Sequence, residues 1–543
     1  MRIIIAGAGI GGLTTALSLH AAGITEVTVD ESVAELRPLG VGINLLPHAV
    51  RELTELGLAD RIARIGVPIE ELVYANPLGQ IISAEERGRA AGYRWPQYAV
   101  HRGELQMLLL EAVRERLGPG TIRCGRPVTS LDHDADLLIG ADGIRSTVRA
   151  ALYPDEGPPI WNGLTLWRGT TLTEPFLTGR SMVMSGDGTR KFVAYPIAEP
   201  DADGRVLVNW IAERPTEGAA VTGDWNRPAD PEAVAAEFAD WKLGWLDAPT
   251  VIAAAESVFE YPMVDRDPLP RWTHDRVTLL GDAAHPMYPV GSNGASQAII
   301  DARVLANALA TGRGPEHYEQ HRREATAAIV HANRGLGPEM VLSLAAERAP
   351  HGFDDIDAVL PPEELAEISL RYKRLAGFDP ASLNERPSWT VRPAPALERL
   401  ATFRVTLDPI LPIGRTPWGE RRVIGITGGS FDGPKLSGTV LAGGADWQIV
   451  HDDGTATVDT RYTLRTHDGA LIYLQTRGHR HGPDEVMRRL ALGEDVDPDT
   501  YYFRLVLTFE TAHPDYAWLG RTVAVATGRR EASAVVYDAY TLS

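Results

Sequence analysis

The residues best suited to chemistry lie in Val277–Leu309, where a carboxylate directly follows a short apolar run. The run Val277–Leu280 has the composition of a buried strand, and Asp282 comes just past its end in a turn of small residues. A loop rich in proline and glycine follows at 289–294, and from Ala295 the apolar residues recur at helical spacing. A helix N-terminus presents free N–H groups and partial positive charge. The stretch therefore predicts a site that holds a ligand through a carboxylate and stabilises a ring that becomes anionic on reduction.

The N-terminal stretch has the pattern of a dinucleotide-binding turn. Arg2–Ala6 has the composition of a strand, and Gly7, Gly9 and Gly12 match G-x-G-x-x-G at the start of a helical pattern. A second predicted strand then ends in two acids, at 30–31. The glycines allow a tight turn and the close approach of a pyrophosphate to the helix N-terminus, and the acid accepts hydrogen bonds from ribose hydroxyls. The bare glycine match is weak, but its complete context predicts nucleotide binding.

Three other stretches carry polar residues or glycines at the ends of predicted elements. Residues 136–149 repeat the strand–turn–helix pattern, with Asp142 in the turn. Arg102 opens a predicted helix, and the loop 37–44 contains glycine turns around Gly42. Taken alone, Arg102 fits a solvated charge at a helix start equally well, and the loop fits an ordinary surface turn.

These motifs resemble the fingerprints of the flavin-dependent aromatic hydroxylases, the p-hydroxybenzoate hydroxylase class. The resemblance implies that Asp282 holds the ribityl chain of FAD, that the loop from Pro289 passes the isoalloxazine ring, and that Glu31 rather than Asp30 contacts the ribose. It also places Asp142 and Arg149 where FAD and the nicotinamide cofactor both pass. The cofactor-binding residues that the resemblance implies are Gly7, Gly9, Gly12, Glu31, Gly42, Arg102, Asp142, Asp282, Pro289, Gly291, Asn293 and Gly294.

Within that class, residues 1 to about 333 are most similar to the methylphenazine carboxylate hydroxylase branch. The segments that carry this similarity are RPLGVGIN (37–44), HRGELQM (101–107), YPMVDRDPLP (261–270) and MYPVGSNGASQAI (287–299).

The predicted fold is an α/β Rossmann-type FAD-binding domain with an interleaved β-sheet substrate domain, followed by a C-terminal all-β barrel domain. The monooxygenase part spans 1–375, with FAD-binding segments at about 1–70, 97–153 and 271–343 and a substrate domain at about 71–96 and 154–270. Residues 376–396 are rich in proline and are predicted to form a linker. Residues 397–543 contain about eight short alternating runs separated by glycine turns, which indicates a small barrel.

The substrate pocket is the part of the site that the sequence determines least. Residues that could line a pocket at the flavin ring are Trp167, Tyr195, Met287, Tyr288 and Pro289. Packing within the sheet and the core is the favoured alternative for each of the aromatic residues. No short motif identifies an acid or a base, so no catalytic residue is assigned.

The C-terminal segments 428–447 and 461–478 resemble a family of small bacterial barrels of unknown function. Ser430 lacks the second glycine of a nucleophile elbow, so hydrolase chemistry is not indicated. Histidines at 467, 479 and 481 show no metal-ligand spacing, so no metal site is expected. The domain could bind or process the product, or it could serve only in dimerisation, so a homodimer stays open.

Composition excludes several classes of partner. The chain of 543 residues carries a net charge of -19, which argues against nucleic acid and anionic membranes. No apolar span approaches about 20 residues, and glycines interrupt the apolar run at the N-terminus, so neither a membrane span nor a secretory signal is expected. The single cysteine, Cys124, excludes an intramolecular disulfide and fits a reducing cytoplasm.

The resemblance implies a single-component flavin monooxygenase that uses FAD, NADH or NADPH, and O2 to oxygenate a small aromatic or heterocyclic secondary metabolite. In this class a flavin C4a-hydroperoxide forms, and its protonated form hydroxylates an electron-rich ring. Its deprotonated form attacks a carbonyl, so Baeyer–Villiger insertion into a bicyclic alkaloid or other natural-product intermediate, with further processing by the C-terminal domain, stays open behind hydroxylation. A flavin oxidase, or a flavin-binding protein without oxygenase activity, is a third hypothesis.

Overall fold

A computed structural model of the chain describes residues 1–38, 40–216, 227–389 and 396–542. The chain divides into two compact units, Met1–Pro393 and Ala394–Ser543. Parts of the predicted loop at 37–44, of the substrate domain, of the linker and of the barrel therefore lie outside the described residues.

The first unit contains strands from three sheets. They are β1 (Ile3–Ala6), β2 (Val27–Glu31), β3 (Gly42–Leu45), β4 (Gly66–Ile69), β5 (Glu71–Ala75), β6 (Ile81–Glu86), β7 (Gln97–His101), β8 (Ile122–Cys124), β9 (Leu137–Gly140), β10 (Ile160–Thr173), β11 (Ser181–Gly186), β12 (Lys191–Pro196), β13 (Val206–Pro215), β14 (Arg227–Ala229), β15 (Val258–Asp265), β16 (Thr273–His274) and β17 (Val277–Leu279).

Its helices are α1 (Ile10–Ala21), α2 (Pro47–Glu55), α3 (Ala59–Ile65), α4 (Arg102–Leu117), α5 (Thr147–Leu152), α6 (Pro231–Ala236), α7 (Ala248–Ala253), α8 (Gly294–Ala310), α9 (Pro315–Arg334), α10 (Met340–Arg348), α11 (Pro362–Leu375) and α12 (Pro380–Glu385). In the described parts of both units, no helix combines the length and the apolar composition that a bilayer crossing requires.

The first sheet has the strand order β16-β17-β9-β1-β2-β8, and only β16 runs antiparallel to its neighbour. All residues of β1 and β9 are buried, as expected for parallel strands covered on both faces. The strands also end in register, because Ala6 pairs with Asp30 and Gly140, and Gly140 pairs with Leu279. The turns after β1, β17 and β9 carry the first, second and third predicted motifs, which are the glycine turn at 7–12, the turn at Asp282 and the turn at Asp142. The three motifs therefore meet at one edge of the sheet.

The second sheet has the order β14-β15-β10-β13-β12-β11-β5-β6. Successive side chains of a strand point to opposite faces. One face packs against α6 and α7 in a cluster around Phe192, Trp210 and Phe238. The other face packs against α10 and α11, in a cluster that includes Val193 and Tyr195. A small antiparallel sheet of order β3-β7-β4 completes this unit.

Part of the stretch predicted as a linker, 376–396, is folded. Helix α12 lies inside it, and Pro380 takes the first helical position, where the missing N–H costs nothing. Phe378 and Leu383 are buried, and the hydroxyl of Tyr93 donates to the carbonyl of Phe378 at 2.5 Å. The prolines hid this helix because they interrupt apolar periodicity. Residues 390–395 lie outside the described part of the chain.

The second unit consists of the helix α13 (Asp484–Ala491) and ten strands. The strands are β18 (Leu397–Leu407), β19 (Leu411–Thr416), β20 (Gly419–Asp432), β21 (Gly438–Val440), β22 (Gly444–Val450), β23 (Ala456–Thr466), β24 (Leu471–His481), β25 (Tyr502–Glu510), β26 (Ala524–Arg530) and β27 (Ala534–Leu542), counted within residues 396–542.

These strands close into an antiparallel barrel. Strands β18, β27, β26, β25, β24 and β23 pair in turn around the ring, β21 and β22 both join β23 to β20, and β20 pairs back to β18. Strand β19 forms a hairpin with the first part of β20. Closure directs alternate side chains into one interior.

Candidate functional site

The three glycines of the first turn differ in their surroundings. Gly7 has a φ of +100°, and a Cβ there would lie 2.6 Å from the carbonyl oxygen of Ala141, in the third motif. A Cβ at Gly12 would overlap the carbonyl oxygen of Gly7, because α1 starts very close to β1. A Cβ at Gly9 would meet nothing within 4 Å. Gly7 and Gly12 therefore permit the fold, and Gly9 leaves open space at the N-terminus of α1, where no cap from a described side chain is found.

The two acids at the end of β2 have different partners. Asp30 forms a bidentate ion pair with Arg123, at 2.6 and 2.7 Å. Glu31 accepts a hydrogen bond from the backbone N–H of Ala8 at 2.8 Å, within the glycine turn. In the β2–β8 pairing, Glu31 lies opposite Cys124. The geometry therefore leaves Glu31, and not Asp30, beside the open turn.

Asp142 shapes the turn of the third motif. Its carboxylate accepts hydrogen bonds from the hydroxyl of Ser146 at 2.5 Å, from the backbone N–H of Thr147 at 2.8 Å and from that of Val148 at 3.2 Å. These bonds satisfy N–H groups at the start of α5.

Arg149 joins the third motif to the second. This buried residue donates to the carbonyl oxygens of Ala283 and Ala284 at 3.0 and 2.9 Å, and it forms an ion pair with Glu156. Its guanidinium thereby fixes the turn that carries Asp282. The family resemblance placed Arg149 where FAD and the nicotinamide cofactor pass, but only the structure shows that it acts on a turn 134 residues away.

Asp282 lies in the turn after β17 and remains open to solvent. Its carboxylate faces the start of α8, since a Cβ at Gly294 would lie 3.9 Å from Oδ1. Desolvation by neighbouring residues raises the pKa of this carboxyl, and the charges of His285 and Arg102 partly offset that effect. Within the described part of the chain, no side-chain hydrogen bond caps the N-terminus of α8. An accessible carboxylate and free N–H donors therefore lie side by side.

The loop between the Asp282 turn and α8 has a strained backbone and is held in place by side chains of other helices. Gly291 has a φ of +66° and is followed by Ser292 at +56°, an uncommon conformation for a residue with a side chain. Asn293 donates to the hydroxyl of Tyr372 at 2.9 Å, and that hydroxyl lies within hydrogen-bond distance of Asn333, at 2.8 Å. A Cβ at Gly291 would overlap the ring of Tyr372. Helices α9 and α11 thus fix this loop, which sequence spacing did not reveal.

A buried polar network lies behind the same loop. Asp301, on α8, binds His285 at 2.5 Å and Arg322 at 2.7 Å. Burial opposes ionisation of Asp301, but His285 and Arg322 outweigh it and lower its pKa. Gln297, one helical turn earlier, contacts the ring of His48 at 3.2 Å. The sequence signal was a pair of polar residues, Gln297 and Asp301, four apart on a largely apolar helix.

Gly42, at the start of β3, is hydrogen-bonded to the second sheet. Its N–H donates to the side-chain carbonyl of Asn209 at 2.7 Å, and its carbonyl accepts from the hydroxyl of Tyr195 at 2.9 Å. A Cβ at Gly42 would lie 2.6 Å from that of Asn209. This contact identifies the Tyr195 face of the sheet as the face that meets the loop.

The other residues predicted for the pocket are placed differently. Trp167 lies on the opposite face of the sheet from Tyr195, in the cluster with α6 and α7, and its indole N–H donates to Glu260 at 3.0 Å. Tyr288 is buried, and burial together with Asp265 raises its pKa to about 12. Met287 is partly buried against the cluster around Phe378.

A cation that the sequence did not indicate lies on the Tyr195 face. Arg168 follows Trp167 on β10 and therefore points the other way, with its guanidinium 5.8 Å from the centre of the Tyr261 ring. Its Nε is buried and has no hydrogen-bond partner among the described residues. Burial lowers the pKa of Arg168. An arginine alone is no signal, because arginines are common in any chain. Only a correctly placed strand β10, with its alternating faces, could have predicted that Arg168 lies on the face of Tyr195.

Together these features fit FAD. The open space at Gly9 has room for a pyrophosphate, and Glu31 lies beside that glycine turn. The accessible carboxylate of Asp282 can accept hydrogen bonds from the hydroxyl groups of a ribityl chain. Arg102, at the start of α4, is exposed and packs near Gly40.

A largely parallel sheet whose strand ends gather a glycine turn, an acid and two further turns defines a dinucleotide-binding protein. The family model described as "FAD binding domain" matches residues 1–159 and 191–332, which is more than half of the chain. The chain belongs to this family.

Named relatives extend this finding. Phenazine 1,6-dicarboxylic acid hydroxylase PhzS of Lysobacter antibioticus is 49% identical over 361 residues, covering 61% of this chain and 89% of that protein. The crystal structure of a variant of HpxO from Klebsiella pneumoniae complexed with FAD is similar over 69% of this chain and 94% of that chain, at 23% identity and a TM-score of 0.52. At this identity the structural likeness shows the fold alone. The chain is an FAD-dependent monooxygenase, as predicted, and the predicted cofactor and fold class are confirmed.

The second unit matches a different family. Residues 395–542 match the model described as "Protein of unknown function (DUF3237)". A UPF0311 protein of Rhodopseudomonas palustris is 39% identical over 148 residues, covering 27% of this chain and 97% of that protein. The predicted resemblance to small bacterial barrels of unknown function is confirmed.

Proposed function

We propose that this protein is a single-component aromatic hydroxylase whose substrate is an aromatic carboxylic acid, with NADH or NADPH as reductant and O2 as oxidant. The observation that carries the substrate class is Arg168, a guanidinium on the sheet face that meets the Gly42 loop, with an unpartnered buried Nε. Bound FAD takes two electrons from the nicotinamide and activates O2 for transfer of one oxygen atom.

The chain's own residues bind the cofactor and fix its surroundings. Arg149 and Tyr372 act as positioning residues, since each holds one of the turns. The proposed FAD contacts are Gly7, Gly9, Gly12, Glu31, Gly42, Arg102, Asp142, Asp282, Pro289, Gly291, Asn293 and Gly294.

The substrate pocket is proposed on the Tyr195 face. Tyr195 and Tyr261 offer aromatic walls near Arg168, and Tyr288 belongs to the same apolar cluster as Tyr195. Trp167 is left out because it lies on the other face. A carboxylate beside a half-buried guanidinium forms charge-assisted hydrogen bonds that contribute about 1.5–3 kcal/mol. The name of the relative at 49% identity, a phenazine 1,6-dicarboxylic acid hydroxylase, supports an aromatic acid of this kind.

The test compares Arg168→Met and Arg168→Lys with the wild type on phenazine-1,6-dicarboxylate. NADH and NADPH oxidation, product mass and incorporation of labelled O2 are measured. We expect hydroxylation, with a KM at least about tenfold higher for Arg168→Met and a smaller rise for Arg168→Lys.

The matched control is Arg214→Met. Arg214 lies on the neighbouring strand β13, and its guanidinium is 5.2 Å from the centre of the Trp167 ring, on the opposite face. Its KM is expected to stay unchanged. An unchanged KM for Arg168→Met would remove the basis for an acid substrate.

A further inference from the structure

The barrel of the second unit encloses a large cavity. Its volume is about 540 Å³, which lies within the range of pockets that bind small organic ligands. Much of the wall is apolar or aromatic, and includes Ile424, Ile426, Leu505, Phe503 and Tyr462. The side chains of a barrel of this size can fill its interior, so an open volume of this kind requires a reason.

Three guanidinium groups line this cavity. Arg422, Arg480 and Arg530 lie on three different strands, β20, β24 and β26. Two carboxylates line it as well. Asp446 is buried and already accepts hydrogen bonds from two neighbouring groups, and Asp408 is exposed. Among the described lining residues, positive charge therefore exceeds negative charge inside the barrel.

Arg480 is the least compensated of the three. It is 9% exposed, and its Nε has no hydrogen-bond partner among the described residues. Its guanidinium stands 5.7 Å from the centre of the Phe503 ring. Burial, followed by repulsion from Arg422 and Arg530, lowers its pKa to about 10, so it stays charged at neutral pH. Arg422 differs because its Nε donates to the side chain of Gln448 at 2.7 Å.

A buried, unpaired cation destabilises a fold unless a counterion arrives. We propose that the barrel is a binding site for an aromatic carboxylate, whose carboxylate pairs with Arg480 and Arg530 and whose ring lies against Phe503 and the apolar wall. A small inorganic anion would satisfy the charge but leave the apolar wall unused, so an organic acid fits better. The inference rests on the barrel alone and is independent of the substrate proposed for the flavin site.

The experiment uses the full-length protein saturated with FAD, and naphthalene-2-carboxylate as the probe. Binding is measured by calorimetry, and hydrogen–deuterium exchange of the β24 and β25 peptides locates it in the barrel. We expect protection of these peptides, and a Kd in the barrel at least about tenfold higher for Arg480→Met. The uncharged naphthalene-2-carboxamide should bind the wild-type barrel at least about tenfold more weakly than the acid, and Arg480→Met should not change its Kd.

The matched control is Arg477→Met, on the same strand but with an exposed side chain that faces outward. It should bind the acid like the wild type. Arg480→Lys serves as a second variant if Arg480→Met fails to fold. Its Kd for the acid should lie between the wild-type Kd for the acid and the wild-type Kd for the uncharged amide. Absence of protection at β24, or equal affinity for acid and amide, would overturn the proposal. Competition by inorganic phosphate at equal concentration would overturn the aromatic part of it.

Discussion

The glycines of the first turn show how one residue type meets three different requirements. Gly7 needs its positive φ, Gly12 allows α1 to lie against β1, and Gly9 borders empty space. Their spacing was enough to predict the turn from the sequence, since Gly7 and Gly12 tolerate so little else. The contacts of Arg149 could not be predicted from the sequence in this way, because its partners, Ala283 and Ala284, are remote in the chain.

A matched pair of substitutions separates folding from binding at this turn. Gly12→Ala should lower the free energy of unfolding by about 2 kcal/mol or more, because the added methyl group overlaps the Gly7 carbonyl. Gly9→Ala should leave stability unchanged within about 0.5 kcal/mol and still weaken FAD binding about tenfold, since its methyl group enters the space proposed for the pyrophosphate. Urea unfolding and flavin fluorescence titration measure the two effects.

Gly120→Ala is the control, because a Cβ there also meets nothing within 4 Å but lies far along the chain from the turn. It should retain both stability and FAD affinity. If Gly9→Ala binds FAD as tightly as Gly120→Ala does, the pyrophosphate does not pass over Gly9.

At the scale of elements, helices hold the loops that carry the site. Helix α8 presents Asp301 and Gln297 to a buried network, and α11 presents Tyr372 to the strained loop at Gly291. Periodicity predicted α8 itself from its apolar face. It could not predict these polar contacts, because each depends on the packing of helices that are far apart in sequence. Alternation along a strand likewise places Trp167 on the opposite face of the sheet from its neighbours in sequence. It does not show which of the two faces meets the Gly42 loop.

The histidine of α2 makes the first unit sensitive to acid. Burial, with repulsion from Arg322 and Arg51, lowers the pKa of His48 to about 3. The unfolded chain binds a proton near pH 6.5, so between these values unfolding takes up a proton and stability falls as the pH falls. We expect the free energy of unfolding to be about 2 kcal/mol lower at pH 5 than at pH 8 from this group alone. Urea unfolding followed by hydrogen exchange of α2 peptides tests this.

In His48→Gln the loss between pH 8 and pH 5 should be smaller by that amount. His331→Gln, at an exposed position of α9, is the control and should keep the wild-type pH dependence. The lowered pKa of Asp301 acts in a separate window, since its contribution is lost only below the ordinary range of an aspartate. An identical slope for wild type and His48→Gln would contradict the assignment.

At the scale of the molecule, the chain joins a flavoprotein unit to a barrel, and this order was visible in the sequence. The change from mixed periodicity to short alternating runs predicted it. The stretch before the barrel was harder, because Phe378 and Leu383 are single apolar residues among prolines and give no pattern. Their burial against Tyr93 follows from tertiary packing alone.

Two truncated chains test where the first unit ends. A chain that stops after Pro393 should bind FAD with the wild-type affinity, because it retains α12 and the contacts of Phe378 and Leu383 within the first unit. A chain that stops after Arg374 loses Phe378 and Leu383, and each deleted buried side chain of this size costs about 2–4 kcal/mol. We expect it to unfold at lower urea and to retain less flavin after gel filtration.

Equal stability of the two truncated chains would show that residues 375–393 contribute nothing to the first unit. The wild-type chain, compared under the same conditions, gives the reference value for flavin content.

The pairing of β2 with β8 places the only cysteine of the sequence, Cys124, directly across from Glu31. Its partial exposure makes the thiol open to maleimide chemistry, and no second thiol competes for the reagent. A blue-emitting dye attached there would sit one strand from the proposed adenosine end, within energy-transfer distance of the yellow chromophore. Cofactor arrival and departure could then be followed optically in real time, without engineering a label into the molecule.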